Sequence, residues 1–80
     1  MDTYSDTKNR ILVLLEQKQM SIYALAMKSG VSASTIKSIL YGKSKNPGVV
    51  TIKLLCDGFG ISLYDFFNTE VFRSRELENI

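Results

Sequence analysis

The sequence predicts a small all-α domain. The chain has 80 residues, the length of one domain, and 45% of them are hydrophobic, which suffices for one compact core. Apolar residues recur at i, i+3, i+4 spacing in five segments, each bounded by a capping residue, a glycine or a proline. No segment convincingly matches a strand. We therefore expect five short helices around a single core.

The first predicted helix spans residues 5–19. Ser5 or Asp6 can cap its start, because their side-chain oxygens can accept a hydrogen bond from an early backbone N–H. Its apolar positions follow helical spacing and then widen beyond one face. They are Ile11, Leu14 and Leu15, with Leu12 and Val13 beside them.

Two further helices are predicted on either side of Gly30. Ser21 can cap the second helix and Ser32 the third. Gly30 is expected to end the second helix and Gly42 the third, because glycine accepts the left-handed backbone found at helix ends. The apolar positions are Ile22, Leu25 and Ala26 in the second helix, and Ile36, Ile39 and Leu40 in the third.

The turn at residues 46–48 contains Pro47, which cannot continue a helix, and a fourth helix is predicted from Val49 to Phe59. Gly60 is expected to end that helix, and Ser62 to cap a short fifth one. The predicted apolar positions are Val49, Ile52, Leu55, Cys56 and Phe59 in the fourth helix, and Leu63, Phe66 and Phe67 in the fifth.

The predicted domain occupies residues 1–68, and residues 69–80 form a C-terminal tail. Apolar and charged residues alternate irregularly in this tail. Three interpretations stay open for it: a sixth helix, a dimer contact or a frayed end.

Positive charge is concentrated in the middle of the chain. Residues 17–56 carry six lysines and no Asp or Glu, whereas the two ends together carry −4 and bring the net charge to +2. Such a distribution is expected where one face meets a polyanion, although a lysine-rich solvated face would also produce it. The lysines are Lys18, Lys28, Lys37, Lys43, Lys45 and Lys53.

The segment from Ser21 to Tyr41 has the features of a helix-turn-helix. Two helices joined by a three- to four-residue turn cross steeply, which calls for a small residue such as Ala26 where they approach. Gly30 suits a positive φ in the turn, and Val31 can fill its inner side. An ordinary helical hairpin would explain the apolar spacing, but not its coincidence with the turn glycine, the cap and the acid-free surface.

Several short motifs extend this pattern along the chain: Leu25-Ala26, Gly30-Val31-Ser32, Ser34-Thr35-Ile36, Gly42-Lys43, Asn46-Pro47, and Gly60-Ile61-Ser62-Leu63 before Phe66-Phe67. Through them, residues 8–67 resemble the phage-repressor-like helix-turn-helix family of the Cro/cI or XRE type. The resemblance implies a compact five-helix, lambda-repressor-like DNA-binding domain. It also implies a homodimer on a two-fold symmetric operator, with the third helix in the major groove, in a transcriptional regulator of the repressor kind.

The resemblance further implies which residues touch DNA. Base edges would be contacted from the start and outer face of the third helix, by Ala33, Ser34, Lys37 and Ser38. Phosphates would be contacted by Ser21, Tyr23, Ser32, Thr35, Tyr41, Lys43, Ser44, Lys45 and Asn46. Because most of the base-contact side chains are short, sequence selection is expected to depend also on DNA shape and on dimer spacing.

The chain departs from the family at two positions. Members often begin the second helix with a phosphate-binding Gln, where this chain has Ile22. Tyr23 can reach a phosphate instead, or it can be a partly buried aromatic residue. Members also pair an Arg on the first helix with a Glu near the end of the third. Arg10 is present, but Leu40 occupies the partner position, so that ion pair is not expected.

Other functional classes fit less well. The chain has no His and no glycine-rich phosphate loop, and Cys56 falls at a core position, so we expect no enzyme, cofactor, metal or small-molecule ligand. No apolar run approaches the roughly 18 residues of a membrane span, and one cysteine cannot form an internal disulfide, which favours the cytoplasm. The competing hypothesis is a protein-interaction module of the same fold, for example antitoxin-like or regulator-binding, with weak or no DNA binding.

Overall fold

The computed structural model describes residues 3–42 and 46–74, which form six helices and no strand. The helices are α1 (Thr3–Gln17), α2 (Ile22–Ser29), α3 (Ala33–Leu40), α4 (Val49–Phe59), α5 (Leu63–Phe67) and α6 (Glu70–Ser74). The predicted all-α fold is confirmed, and α6 adds a helix at the start of the tail. None of the described helices is long and apolar enough to cross a membrane.

The predicted caps and stops of the inner helices are confirmed. Ser21, Ser32 and Ser62 each accept a hydrogen bond from the backbone N–H three residues further on, at 3.0–3.1 Å. Glycines with a left-handed backbone follow α2, α3 and α4, where a side chain would be strained. They are Gly30, Gly42 and Gly60.

The ends of α1 differ from the prediction. The helix begins at Thr3, so Ser5 and Asp6 lie within its first turns and the predicted cap at either residue is wrong. The apolar periodicity that located this helix starts only at Ile11, and it carries no information about a polar first turn. At the other end the helix stops at Gln17, two residues early, and Gln19 has a positive φ of 51°.

The core is formed by one face of each of the first five helices together with the turn residue Val31. The buried apolar residues are Ile11, Leu14, Leu25, Val31, Ile36, Ile39, Leu40, Ile52, Leu55, Cys56, Phe59 and Phe66. Burial raises the pKa of the Cys56 thiol, in keeping with its predicted core position. Val49 and Phe67 are exceptions to the predicted stripes. They are the first residue of α4 and the last residue of α5, and they are 70% and 38% exposed.

Polar side chains of α1 tie it to two other helices. The Tyr4 hydroxyl donates to the carbonyl oxygen of Ile39 near the end of α3, at 2.9 Å. The Arg10 guanidinium donates to the carbonyl oxygens of Asp65 and Phe66 at 2.9 and 2.8 Å. Arg10 therefore binds the last carbonyls of α5, while Leu40 lies in the core.

The helices α2 and α4 pack closely at Gly58. A Cβ atom there would lie 2.8 Å from the Cβ atom of Ser29, 3.0 Å from its backbone nitrogen and 3.1 Å from Cδ1 of Leu25. Real Cβ atoms do not approach this closely, so only glycine permits the observed packing. Glycine also costs about 1 kcal/mol in a helix interior relative to alanine, and here the packing compensates for that cost.

We predict that Gly58→Ala destabilises the domain. The added methyl group must displace the backbone of α2, and overpacking of this kind costs about 1–3 kcal/mol, which the better helix propensity of alanine offsets only in part. Thermal unfolding followed by circular dichroism should show a melting temperature lower by several degrees.

Gly48→Ala is the matched control, because nothing lies within 4 Å of a Cβ atom added at Gly48. Its melting temperature should stay close to that of the unchanged protein. Equal stability of the two variants would contradict the close packing of α2 on α4.

Candidate nucleic-acid interface

The predicted helix-turn-helix is present, and its turn is held by a buried serine. Ser29, the last residue of α2, is 7% exposed, and its Oγ accepts a hydrogen bond from the backbone N–H of Val31 at 3.1 Å. Val31 is buried in the core, as predicted for the inner side of the turn. Hydrogen bonding and packing within the turn therefore contribute to the direction of α3.

The two faces of α3 differ in character. Ile36, Ile39 and Leu40 are buried against the other helices, as predicted. The opposite face is polar, and none of the residues predicted to contact bases is buried. Ser34 is exposed, and Ala33, Lys37 and Ser38 are intermediate in exposure. The outer face of α3 is therefore accessible to a partner.

The N-terminus of α3 has backbone N–H groups available for an anion. Ser32 Oγ accepts from the Thr35 N–H at 3.1 Å and donates to the Thr35 hydroxyl at 2.9 Å. The first N–H groups of a helix have no acceptor inside it, so those of Ala33 and Ser34 are free to bind solvent or a phosphate. The positive end of the helix dipole favours a negative ligand at the same place.

The residues predicted to contact phosphate are exposed wherever the structure describes them. Tyr41 caps the C-terminal end of α3 through a bond from its N–H to the Lys37 carbonyl oxygen, at 2.8 Å. The exposed residues are Ser21, Tyr23, Ser32, Thr35, Tyr41 and Asn46. Lys43, Ser44 and Lys45 lie outside the described residues.

Tyr23 and Lys37 form a pair that bridges α2 and α3. The Lys37 ammonium donates to the Tyr23 hydroxyl oxygen at 2.8 Å, and its nitrogen lies 4.8 Å from the centroid of the Tyr23 ring. Tyr23 is 62% exposed, so its interpretation as a partly buried aromatic residue is wrong. The hydrogen bond, with the lysine charge, lowers the pKa of Tyr23, and the same hydrogen bond raises the pKa of Lys37.

In the folded structure, the acid-free stretch of residues 17–56 is not fully separated from acidic side chains. Lys53, within the acid-free stretch, forms an ion pair with Asp57 one helical turn further along α4. The charge of Lys53 is thereby partly compensated. Lys37, by contrast, has a neutral phenol as its hydrogen-bond acceptor and keeps its full charge on the outer face of the helix-turn-helix.

Three of the contributing residues were not singled out from the sequence. Tyr4, Ser29 and Gly58 fix the position of α3 or of the turn before it. Only Gly58 had a detectable signal, because a glycine in the middle of an apolar helix is unfavourable unless packing requires it. The roles of Tyr4 and Ser29 depend on contacts that local patterns do not encode.

The comparison with protein-family models agrees with this geometry. Residues 10–71 match the model of the Cro/C1-type HTH DNA-binding domain. No curated protein and no solved structure shows significant similarity to the chain. The match covers all of the helix-turn-helix together with α4 and α5, so the chain belongs to the family of Cro/C1-type helix-turn-helix DNA-binding domains.

Proposed function

We propose that this chain is a sequence-specific repressor that binds a two-fold symmetric operator as a homodimer, with α3 in the major groove. The observation that carries the proposal is the polar, accessible outer face of α3, presented by a helix-turn-helix in a chain of a DNA-binding family. A protein bound in the groove excludes other proteins from the same site. Repression is therefore the simplest consequence of binding.

In the proposed complex, the contacts divide into two groups. Ala33, Ser34, Lys37 and Ser38 face base edges, where alanine can touch a thymine methyl group and serines can bond several bases. The second group binds the phosphates on either side of the groove and fixes the register of α3. It comprises Ser21, Tyr23, Ser32, Thr35, Tyr41, Lys43, Ser44, Lys45 and Asn46.

Electrostatic attraction is expected to supply much of the affinity. Each phosphate neutralised by a lysine releases condensed counterions, which gives a slope of about −0.9 in log K against log salt per phosphate. Binding should therefore weaken steeply as salt increases. A protein-interaction module of the same fold would show no such behaviour, and a gel shift on random duplex at low and moderate salt separates the two functions.

We predict that Lys37→Glu lowers the affinity for duplex DNA at least about tenfold, because it replaces an attractive charge on the docking face with a repulsive one. The slope against salt should change by less than about one phosphate equivalent, because Lys37 is proposed to contact a base edge and not a phosphate. Fluorescence anisotropy at several salt concentrations measures both quantities.

The control for this prediction is Lys53→Glu. It changes the net charge by the same amount but lies on α4, where Lys53 is already paired with Asp57. Its affinity should stay within about threefold of the unchanged protein, because position 53 is not among the proposed contacts and salt screens charges that lie more than a Debye length from a phosphate. An equal loss in both variants would attribute binding to net charge and contradict the proposed docking face. Circular dichroism checks that both variants fold.

We predict that the chain dimerises through α1 and α6. Val13 on α1 and Val71 on α6 are 44% and 41% exposed and line a common groove of about 290 Å³. Leu12, which precedes Val13 in the sequence, is 42% exposed. Sedimentation at micromolar concentration should show a dimer, and Val13→Lys should convert it to a monomer, because a charge cannot be buried there without cost.

Val50→Lys serves as its matched control, since Val50 is also exposed but lies on α4. That variant should remain dimeric. A monomer for the unchanged protein would exclude a stable dimer in the absence of DNA, and a loss of the dimer with Val50→Lys alone would place the interface on α4.

A further inference from the structure

The pairing of Lys37 with Tyr23 restrains a side chain that is usually free. An exposed lysine is a hydrated point charge on a flexible stem, and it ordinarily samples many rotamers. Here its nitrogen is held by a hydrogen bond of 2.8 Å to the Tyr23 hydroxyl and lies 4.8 Å from the ring centroid. The two residues are 14 positions apart and belong to different helices, so the restraint depends on the fold of the helix-turn-helix.

This restraint changes what the lysine can recognise. A lysine ammonium carries three N–H donors, and the Tyr23 oxygen takes one of them. Two donors remain, at a fixed place beside the outer face of α3. Guanine presents two neighbouring acceptors in the major groove, N7 and O6, and lysine is one of the side chains that can bind both.

The other side chains at the base-contact positions cannot do this. Ala33 has no polar group, and Ser34 and Ser38 are short hydroxyls that can bond several bases without distinguishing them strongly. Among the four proposed base contacts, strong discrimination of one base by hydrogen bonding therefore falls to Lys37. A freely rotating lysine would also satisfy a nearby phosphate, and would then contribute affinity without selectivity.

We propose that Tyr23 is a positioning residue for DNA recognition, holding the Lys37 ammonium so that it reads a guanine in each half-site rather than a phosphate. This inference rests on the proposed DNA-binding function, and it replaces the phosphate contact proposed above for Tyr23 with a contact to Lys37. It assigns the guanine preference to a pair of residues, one from each helix of the motif. Tyr23 contributes to this preference only by holding the Lys37 ammonium.

The electrostatics of the pair support this arrangement. The hydrogen bond to Tyr23 raises the pKa of Lys37, so pairing with the phenol does not weaken the protonation that any lysine has at physiological pH. In the other direction, Lys37 lowers the pKa of Tyr23, chiefly by donating to its hydroxyl oxygen. This second effect provides a measurement that needs no DNA.

The test begins with selection of bound duplexes from a random pool by the unchanged protein. We expect one guanine in each half-site whose replacement weakens binding by roughly 5- to 150-fold, the range of a bidentate contact. Lys37→Met should abolish that preference. Tyr23→Phe, which keeps the ring and removes only the hydroxyl, should reduce the preference by about 2- to 10-fold, the worth of one hydrogen bond.

Two comparisons show whether Tyr23 acts through Lys37. The double variant that carries both Tyr23→Phe and Lys37→Met should lose no more guanine preference than Lys37→Met alone. Tyr64→Phe is the matched control, because Tyr64 is an exposed tyrosine on α5. The Tyr64→Phe variant should keep the guanine preference of the unchanged protein. A Tyr23→Phe variant that binds all duplexes equally more weakly, with its guanine preference intact, would overturn the proposal and make Tyr23 a phosphate contact.

The pairing itself is tested in free protein by titrating Tyr23 with NMR. Its pKa should rise towards the ordinary tyrosine value in Lys37→Met. An unchanged titration would overturn the proposal, because the pair would then be absent in solution. If instead the unchanged protein selects no duplex while the titration behaves as expected, the proposed DNA-binding function fails and the guanine assignment fails with it.

Discussion

The close contact between Ser29 and Gly58 is the constraint on which the rest of the structure depends. Its first consequence is that α2 lies directly on α4, because no side chain at position 58 holds the helices apart. The second consequence is that Ser29 is held in place beside α4. Its hydroxyl oxygen accepts a hydrogen bond from the Val31 N–H, which fixes the turn. The same residue thus joins the packing of the scaffold to the direction of α3. A shift of α2 on α4 would therefore alter the face offered to a ligand.

The first helix holds this unit from the opposite side. Tyr4 binds the carbonyl of Ile39 near the end of α3, and Arg10 binds the final carbonyls of α5. Helix ends carry carbonyls that lack partners within the helix, so such donors stabilise the ends and place the helices relative to α1. With both of its ends held, α3 can keep a polar face towards solvent.

The structural features that could be predicted from the sequence are those with local causes. Serine caps and left-handed glycines act within three or four residues, and they located α2, α3 and α5 correctly. The start of α1 at Thr3, two residues earlier than predicted, escaped detection because periodicity reports only apolar positions. Val49 was predicted to be buried because an apolar stripe does not show where the neighbouring helices end. The Tyr23–Lys37 pair could not be predicted, since it joins residues of two helices through a crossing angle that the sequence does not state. The candidate site was therefore located from the positions of its residues in the sequence motif. The contacts within the site were found only from the structure.

We expect the outer face of α3 to be the surface that meets DNA. An NMR titration of backbone amides with a duplex selected by the protein tests it most directly. The largest shifts should fall on residues 32–38 and around Tyr23, at the N-terminal end and outer face of the motif, and they should diminish as salt is added. Shifts confined to exposed residues of α4 such as Val50 and Leu54, with α3 unaffected, would contradict the account.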